Sequence, residues 1–406
     1  MDRHLDLNLN LINANLPGFS FPQGVGIRQG QIAEIRAGDN GRDDWAGVEV
    51  LDLEGDWISL GGWDLQINGA LGLAFPDIQR SDWNRLEQIC NFLWEQGIDG
   101  FLPTVVTTSL ENIQRSLQVF AEWIPQQSPN TAQVLGVHLE GPCLNFQKRG
   151  AHPPEYLLPL TVDYLKQILG DYGSIVKIIT LAPELDETGT TLRYLKDLGM
   201  TVSLGHSQAT AIQAQAAFDQ GATMVTHGFN AMPGLHHRES GLLGAALVHP
   251  QVHCGFIADG QHIGSTMLDL LVRIARGQPK GTQDSTLHNS VWAICSKLFL
   301  VSDALAPLGL PDGIYPWDQR QIQVTQGTAR LPEGTLAGTT LPLLAGVENL
   351  VNWGICEMAE AIALATIAPR QALAEFTWVG QSAHQLLRWQ YSQGALHWQR
   401  LRQDQR

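Results

Sequence analysis

The sequence predicts an α/β fold in which a (β/α)8, TIM-like barrel carries a small β-sandwich domain formed from both chain ends. Amphipathic stretches of helical period separate most of eight short apolar runs, and this alternation is typical of parallel β-α-β units. Eight such units are the number that closes a barrel. The runs follow Gly62 and read WDLQINGA, GFLPTVVTT, VLGVHLEGP, IVKIITLAPE, TVSLGHS, TMVTHGFNA, VHCGFIADG and LFLVSDA.

The alternative is a doubly wound open sheet. Such a sheet usually has a G-x-G-x-x-G loop after its first strand, and the corresponding segment here, DLQINGALG, does not match it. Two of the intervening stretches have clear helical patterns, SLENIQRSLQVFAEWI and QATAIQAQAAFDQG. Ser109, with Glu111 two residues later, predicts the start of the first helix. The barrel is therefore the favoured fold.

Both chain ends have a different character from the middle. The segment GVGIRQGQIAEIRAG predicts two short strands with a turn at Gln29 and Gly30, and a helical region from Pro342 to Leu387 precedes the C-terminal segment GALHWQRLRQDQR. We expect residues 1–58 and 345–406 to form a small β-sandwich-type domain with a C-terminal helical region. Residues 59–344 are then the barrel.

Composition excludes several classes of function. The chain has 406 residues, 44% of them hydrophobic, and a formal charge of −15, which argues against binding to nucleic acid or to an anionic membrane. Five scattered cysteines without a C-x-x-C pair are typical of a reducing compartment. The N-terminus, MDRHLDLNLN, lacks the apolar run of a signal peptide, and no apolar run is long enough to span a bilayer. We expect a cytoplasmic protein.

Polar side chains stand at the predicted C-terminal ends of the strands, where barrels of this class do chemistry. They are Gln66, Asn68, Glu140, His206, His227, Asp259 and Asp303. One carboxylate and two imidazoles are typical of a catalytic zinc shell that leaves a position open for water. Buried charges are costly unless paired or metal-bound, so a metal explains why these groups occur together. Asp303, on the last strand, is placed to exchange a proton with that water.

Other interpretations stay open for single residues. A lone histidine at a strand end is more often a hydrogen-bonded core residue than a ligand, and His138 on the inward face of the third strand is of that kind or supports a ligand. Asp303 is alternatively a helix or turn cap before Ala304. For His236 and His237 the sequence does not distinguish a place in the site from a solvated position in the loop.

The motifs resemble those of the N-acetylglucosamine-6-phosphate deacetylases, a family of the amidohydrolase superfamily. The matching pieces occur in family order from about Gln66 to Gly338: HLEGPCLNFQKRGAHP, LAPE, GHSQA, THGFNAM with HRESG, DGQHI, VSDA and GTLAG. The C-terminal segment FTWVGQSAHQLLRWQYSQGALHWQRL differs from the glycine-rich strand usual in the family. The resemblance therefore covers the barrel rather than the small domain.

The resemblance implies a role for each matched position. Glu140, His206 and His227 match the metal ligands, Asp303 matches the general base and acid, and His152, with Ala151 beside it, matches a residue next to the scissile amide. The substrate contacts are matched by Asn230, Ala231, Asp259, His262, Leu336, Ala337 and Gly338. Arg238 matches an arginine that reaches the phosphate of a substrate in the neighbouring subunit, which implies a homodimer or a larger homo-oligomer.

The first strand departs from the H-x-H motif with which many amidohydrolases bind a second metal. Gln66 and Asn68 stand there, as in the single-metal members of this family, and amides are weaker ligands for a zinc-like ion than imidazoles. We expect one divalent metal per subunit, with Zn²⁺ as the first choice and Fe²⁺, Co²⁺ or Mn²⁺ as alternatives. Gln66 and Asn68 are expected at the pocket floor.

The expected reaction is hydrolysis of N-acetyl-D-glucosamine 6-phosphate to D-glucosamine 6-phosphate and acetate, a step of amino-sugar catabolism. The galacto epimer, or the substrate of another amidohydrolase, is the alternative. A non-catalytic scaffold is a third possibility, which the presence of every ligand and of Asp303 disfavours.

Overall fold

The computed structural model describes residues 8–37, 47–277, 289–373 and 376–401. Its N-terminal part contains the strands β1 (Leu9–Ala14), β2 (Gln23–Arg28), β3 (Gln31–Ala37), β4 (Glu49–Asp52) and β5 (Trp57–Leu60). The first four form a sheet in the order β3-β2-β1-β4. The β2–β3 hairpin turns at Gln29 and Gly30, which both have positive φ as a tight hairpin turn requires. The predicted turn is confirmed.

The barrel is built from the strands of the middle segment. Eight parallel strands lie in the order β6-β9-β11-β12-β13-β14-β15-β16. The ring closes between the last residues of β6 and the residues that follow β16, where Ile67 bridges Ala304 and the Asp303 N–H donates to the Gln66 carbonyl at 2.9 Å. The predicted (β/α)8 barrel is confirmed. Its segment comprises β6 (Gly62–Ile67), β7 (Gly69–Ala70), β8 (Leu73–Ala74), β9 (Ile98–Val106), β10 (Gln133–Val134), β11 (Val137–Glu140), β12 (Val176–Leu181), β13 (Thr201–Leu204), β14 (Met224–Val225), β15 (His253–Phe256) and β16 (Leu298–Leu300).

Helices surround the barrel strands and pack their own apolar faces against them. The second helix buries Ile113, Leu117 and Phe120 on one face, and the Ser109 hydroxyl caps its N-terminus by accepting from the Asn112 N–H, as predicted. The helices are α1 (Trp83–Glu95), α2 (Leu110–Trp123), α3 (Val162–Leu169), α4 (Thr191–Asp197), α5 (Ala211–Asp219), α6 (Gly241–Val248), α7 (Ser265–Arg276), α8 (Asn289–Cys295), α9 (Leu343–Asn352), α10 (Met358–Thr366) and α11 (Ala368–Leu373).

Two further groups of strands follow the barrel. An antiparallel sheet at the barrel mouth contains β17 (Gly313–Trp317), β18 (Arg320–Thr325), β19 (Thr328–Arg330) and β20 (Leu336–Thr339), and Thr339 bridges Ala304. The hairpin of β21 (Leu386–Ser392) and β22 (Ala395–Arg400) pairs with β5. The two chain ends therefore share a small sheet domain, as predicted. The boundaries at residues 58 and 345 stay a prediction, since α10 and α11 also contact β16.

A chain of buried hydrogen bonds fills the barrel interior below its mouth. His138 Nδ1 lies 3.0 Å from the Leu65 carbonyl, which can only accept, so the other ring nitrogen accepts from Thr180 at 2.8 Å. Thr226 then donates to Thr180 and Ser203 to Thr226, each at 2.6 Å. Burial lowers the pKa of His138 to about 4, which keeps it neutral for this role. His138 therefore ties strands together and is not a ligand.

A buried ion triad joins the C-terminal part to the barrel. Asp99, at the start of β9, accepts from Arg370 of α11 at 2.9 Å and from Arg400 of β22 at 3.0 Å. The carboxylate is fully buried and both arginines are nearly so. Removing one member of such a group leaves uncompensated charge in the interior.

We therefore expect Asp99→Asn to lower the free energy of unfolding by about 3–5 kcal/mol, because two buried guanidinium groups lose their counter-charge. Urea denaturation followed by circular dichroism measures this. The matched control is Asp56→Asn, which breaks a pair with Arg388 whose side chains are about one-fifth exposed and should cost about 0–1 kcal/mol. Equal effects of the two substitutions would contradict the structural role of the triad.

The described residues contain no helix with the length and apolar character needed to cross a bilayer. All five cysteines are buried and free of disulfides. Burial raises the pKa of Cys254 to about 12, so this thiol is unreactive.

Candidate active site

Three side chains converge at the barrel mouth from three different strand ends. One oxygen of Glu140 lies 3.1 Å from Nε2 of His206 and 2.9 Å from Nε2 of His227, and the two Nε2 atoms are 3.0 Å apart. In a tetrahedral zinc site with bonds of about 2.0–2.1 Å, ligand atoms lie roughly 3.3 Å from one another. The three atoms are therefore spaced as a metal shell requires.

Local structure fixes the orientation of these ligands. Nδ1 of His206 donates to the Lys148 carbonyl at 2.9 Å, which turns Nε2 towards Glu140, where it can give up its proton to a cation. His206 has φ +48° and His227 has φ +31°, in a region that non-glycine residues seldom adopt. Such conformations cost about 1–3 kcal/mol each and cluster at functional sites. The strand ends are thus bent to aim both rings at one point.

The electrostatics of the cluster also suit a cation. Burial alone raises the pKa of Glu140, but hydrogen bonds from His206 and His227 outweigh it and hold the pKa well below its usual range. Glu140 is therefore an ionised carboxylate in the protein interior. His152 lies beside it, with its ring centroid 4.4 Å from that of His206, and the nitrogens of His152 and His206 and a Glu140 oxygen lie within 4.8 Å of one another. The cluster can therefore hold a divalent ion, and both His152 and His227 lie close enough to complete a shell with Glu140 and His206.

Asp303 lies across the mouth from this cluster. Asn68 donates to it at 2.7 Å, and Gln66 Nε2 lies 3.3 Å from Asp303 and 3.2 Å from Glu140. Burial, and then the charge of Glu140, raise the pKa of Asp303 to about 6. A carboxylate with such a pKa takes up and returns protons near neutral pH. Gln66 and Asn68 thus hold the carboxylates at the floor of the site.

A cavity of about 300 Å³ is lined by Asn68, Glu140, His206, His227 and Asp303 and by most of the other predicted contacts, whereas Gln66 is not among its lining residues. Of the predicted substrate contacts, those that line it are Ala151, His152, Asn230, Ala231, His262, Leu336 and Ala337. Asp259 stands behind His262, whose Nδ1 donates to it at 2.7 Å. Gly338 stands behind Asp303, where an added Cβ would meet the Asp303 carbonyl at 2.8 Å. Arg238 is exposed and outside the cavity.

The structure places further residues in and around the cavity that the sequence motifs do not identify. Asp64, two residues before Gln66 on β6, is buried below the floor, and burial raises its pKa to about 7. Alternation along the strand was the signal for it, since Asp64, Gln66 and Asn68 share one face. Tyr156 and Trp317 also line the cavity. No lysine or arginine lines it in the described part of the chain. Trp317 comes from the sheet at the mouth, whose placement no local pattern indicates.

Comparisons with known proteins agree with this geometry. The chain is 34% identical to the N-acetylglucosamine-6-phosphate deacetylase of Bos taurus, over 86% of each chain. It is 32% identical to the N-acetylgalactosamine-6-phosphate deacetylase of Escherichia coli O157:H7, over 80% of each chain. The chain belongs to the N-acetylglucosamine-6-phosphate deacetylase family. No protein-family model matches it.

Solved structures of the family have the same architecture. The N-acetylglucosamine-6-phosphate deacetylase of Pasteurella multocida superposes with a TM-score of 0.78 at 25% identity, covering 97% of this chain and all of that one. The Thermotoga maritima enzyme gives 0.75 at 26% identity, covering 96% and 98%. An enamidase of the amidohydrolase superfamily, at 12% identity and a TM-score of 0.52, shares the fold alone. Because the match extends over nearly the whole chain, the family's fold includes the small sheet domain.

We expect active protein to contain one equivalent of divalent metal per chain, measured by elemental analysis after gel filtration. His206→Asn should lose that metal because the shell falls to two ligands, whereas His262→Asn, in the same cavity but paired with Asp259, should retain it. Two tightly bound ions per chain, or retention of metal by His206→Asn, would contradict this assignment.

Proposed function

We propose that the protein hydrolyses N-acetyl-D-glucosamine 6-phosphate to D-glucosamine 6-phosphate and acetate in amino-sugar catabolism. The observation that carries the proposal is the position of Asp303 opposite the atoms of Glu140, His206 and His227. A ligand cluster alone suits a structural metal, but a proton-transfer group facing it across a cavity suits hydrolysis. The names of the relatives at 31–34% identity supply the substrate.

The chemistry divides among the residues as follows. A divalent ion, when bound at Glu140, His206 and His227, polarises the amide carbonyl and acidifies water. Asp303 accepts a proton from the water that attacks the carbonyl carbon. It then delivers that proton to the amide nitrogen, so that the C–N bond breaks with departure of a neutral amine. Acetate and the amino sugar phosphate are the products.

His152 stabilises the carbonyl oxygen as it becomes negative. Burial, and then the positive potential of His206, lower the pKa of His152 to about 3, so the ring is neutral and one nitrogen carries a proton. Its Nδ1 is buried and has no hydrogen-bond partner within the described residues. In the tautomer with the proton on Nδ1 this nitrogen is a buried donor without a partner, which is costly, and a substrate oxygen satisfies it.

The rest of the cavity binds the sugar and its phosphate. Asn230, Ala231 and the loop 336–338 surround the sugar, while His262, oriented by Asp259, faces the phosphate. The cavity lacks a cationic side chain of its own in the described residues. Arg238 of a second copy supplies it, which makes the enzyme a homodimer or a larger homo-oligomer.

The expected ion is Zn²⁺, because two imidazoles and a carboxylate form a shell that zinc enzymes commonly use. Fe²⁺, Co²⁺ and Mn²⁺ are the alternatives for the same ligands. The cytoplasm is the compartment that fits five free cysteines.

Acetate release from a panel of N-acetyl hexosamines tests the function. The panel contains the gluco and galacto 6-phosphates and both unphosphorylated sugars, because the E. coli relative is named for the galacto substrate. We expect the gluco 6-phosphate to give the highest kcat/KM. A preference for the galacto 6-phosphate would reassign the substrate, and no acetate from any member of the panel would refute the proposal.

Asp303→Asn is expected to keep the metal and substrate affinity but to lower kcat by about 10²–10⁴-fold, because the amide cannot accept the water proton. Steady-state kinetics together with elemental analysis measure both properties. A variant with near-normal kcat would remove Asp303 from the mechanism.

The pH profile provides a second test of the same group. Asp303 must be ionised to accept a proton, and its pKa is raised to about 6 before any cation is bound. A nearby cation favours the charged form and lowers that value. We expect kcat/KM to fall on acidification, with a midpoint at or below about pH 6. A rate that increases as the pH falls through this range would contradict a base at this position.

Arg238→Ala is expected to raise KM for the 6-phosphate strongly while leaving the weak hydrolysis of the free sugar unchanged, because the guanidinium binds the phosphate. Mixing Arg238→Ala with His206→Ala under conditions of subunit exchange should restore activity. In a hybrid, the subunit that carries Arg238→Ala keeps His206 and receives an intact Arg238 from its neighbour, so one site is complete. No restoration, in mixtures shown by mass spectrometry to contain hybrids, would place Arg238 outside its neighbour's site.

A further inference from the structure

The β17–β18 hairpin at the barrel mouth contacts the loop that carries Ala151 and His152. Its two-residue turn, Asp318 and Gln319, places Trp317 and Asp318 in the cavity wall. Asp318 has φ +50°, which costs about 1–3 kcal/mol for a residue with a side chain. A two-residue hairpin turn favours such a conformation, and the Asp318 carboxylate in this turn is paired with Arg320.

Arg320 is held on three sides. Its guanidinium contacts both carboxylate oxygens of Asp318, with the Nε contacts at 3.0 and 3.2 Å, and its Cζ lies 4.8 Å from the ring centroid of Trp317. The remaining contact is a hydrogen bond of 2.9 Å to the carbonyl oxygen of Ala151. A planar fork with fixed partners loses little entropy when it makes one more bond, so this last contact is preorganised.

The carbonyl of Ala151 belongs to the peptide that leads into His152. The other end of that peptide, the His152 N–H, donates to the Arg149 carbonyl at 3.1 Å. Because a peptide unit is planar and rigid, bonds at both ends fix its orientation and the position of the His152 Cα. Arg320 therefore controls one of the two anchors of His152.

The same sheet also covers Ala151 with apolar side chains. Ala151 is 8% exposed and packs in one cluster with Leu305, two residues beyond Asp303, and with side chains of the sheet, namely Ile322, Val324, Ala329 and Leu331. Apolar packing resists displacement but does not select a peptide orientation, which a directional hydrogen bond does. The bond from Arg320 is thus the orienting contact of this interface.

We infer that Arg320 is a positioning residue, which acts through the Ala151–His152 peptide to place the His152 ring at the scissile carbonyl. The inference rests on the proposed role of His152. Its distinctive consequence is that Arg320 matters for the rate only while His152 is present. A residue that merely stabilises the sheet, or that binds substrate through Trp317 and Asp318, has no such dependence.

A double-mutant cycle on kcat tests this dependence. Arg320→Met keeps the apolar stem and is expected to lower kcat roughly 10- to 100-fold, with KM changed less than about twofold, the size expected for loss of a charge-assisted hydrogen bond. In a His152→Ala background the same substitution should change kcat by less than about twofold, because coupled residues are non-additive. Arg320→Lys, which keeps a cationic donor group but not the planar fork, should fall between the wild type and Arg320→Met.

The matched control is Arg330→Met on β19, because Arg330 is exposed and, among the described residues, its hydrogen bond is to the Gly334 carbonyl of its own sheet. It should leave kcat unchanged. Additive losses in the cycle, or a rise of KM with kcat unchanged in Arg320→Met, would overturn the inference. If Arg320→Met does not fold, the cycle is made with Arg320→Lys.

Hydrogen exchange separates this inference from the proposed reaction. The His152 amide should exchange faster in Arg320→Met than in the wild type, and not in Arg330→Met, whatever the substrate proves to be. Unchanged exchange would overturn the link between Arg320 and His152. Absence of acetate release by the wild type, with altered exchange, would refute the reaction and leave the link standing.

Discussion

Closure of the barrel between its first and eighth strands is the constraint on which the site depends. The Asp303 N–H donates to the Gln66 carbonyl at 2.9 Å, and the Asn68 N–H donates to the Ala304 carbonyl at 2.7 Å. These bonds place the two strand ends side by side although 237 positions separate Gln66 from Asp303. Without them Asp303 would not face Glu140, and the ligand cluster would have no proton-transfer partner.

The closure also creates an electrostatic problem, because it brings two buried carboxylates together. Like charges at close range raise a pKa, and Glu140 does this to Asp303. The side-chain amide of Gln66 contacts both carboxylates, which offsets part of the repulsion while adding no charge. An imidazole at this position would offer a metal ligand instead, so the glutamine is consistent with a site for one cation rather than two.

Local sequence patterns predict most of the barrel and of its reactive groups. Short apolar runs between helical stretches locate the eight strands, and the rule that barrels act at the C-terminal strand ends selects Glu140, His206, His227 and Asp303. The motif match adds His152 and Asn230, which lie in loops that have no periodicity. For each of these positions, the apolar run or motif that identifies it lies within a few residues in the sequence.

Other features depend on contacts between distant parts of the chain, and no local signal contains them. The bond from Arg320 to Ala151 spans 169 positions, and the ion pair of Asp99 with Arg370 spans 271. The left-handed backbone of His206, His227 and Asp303 likewise results from surroundings that over-determine it, since intrinsic preference opposes it. The sheet over the mouth is a further case, because the sequences of its short strands do not indicate which surface the sheet covers.

Anomalous diffraction at the zinc absorption edge, from crystals grown with Zn²⁺, tests the central claim most directly. The account predicts one strong peak at about 2.0–2.2 Å from Nε2 of His206, Nε2 of His227 and an oxygen of Glu140, with the Asp303 carboxylate facing it across the cavity. A peak that His152 binds in place of His227 would contradict the account, because His152 would then be a metal ligand and could not stabilise the carbonyl oxygen.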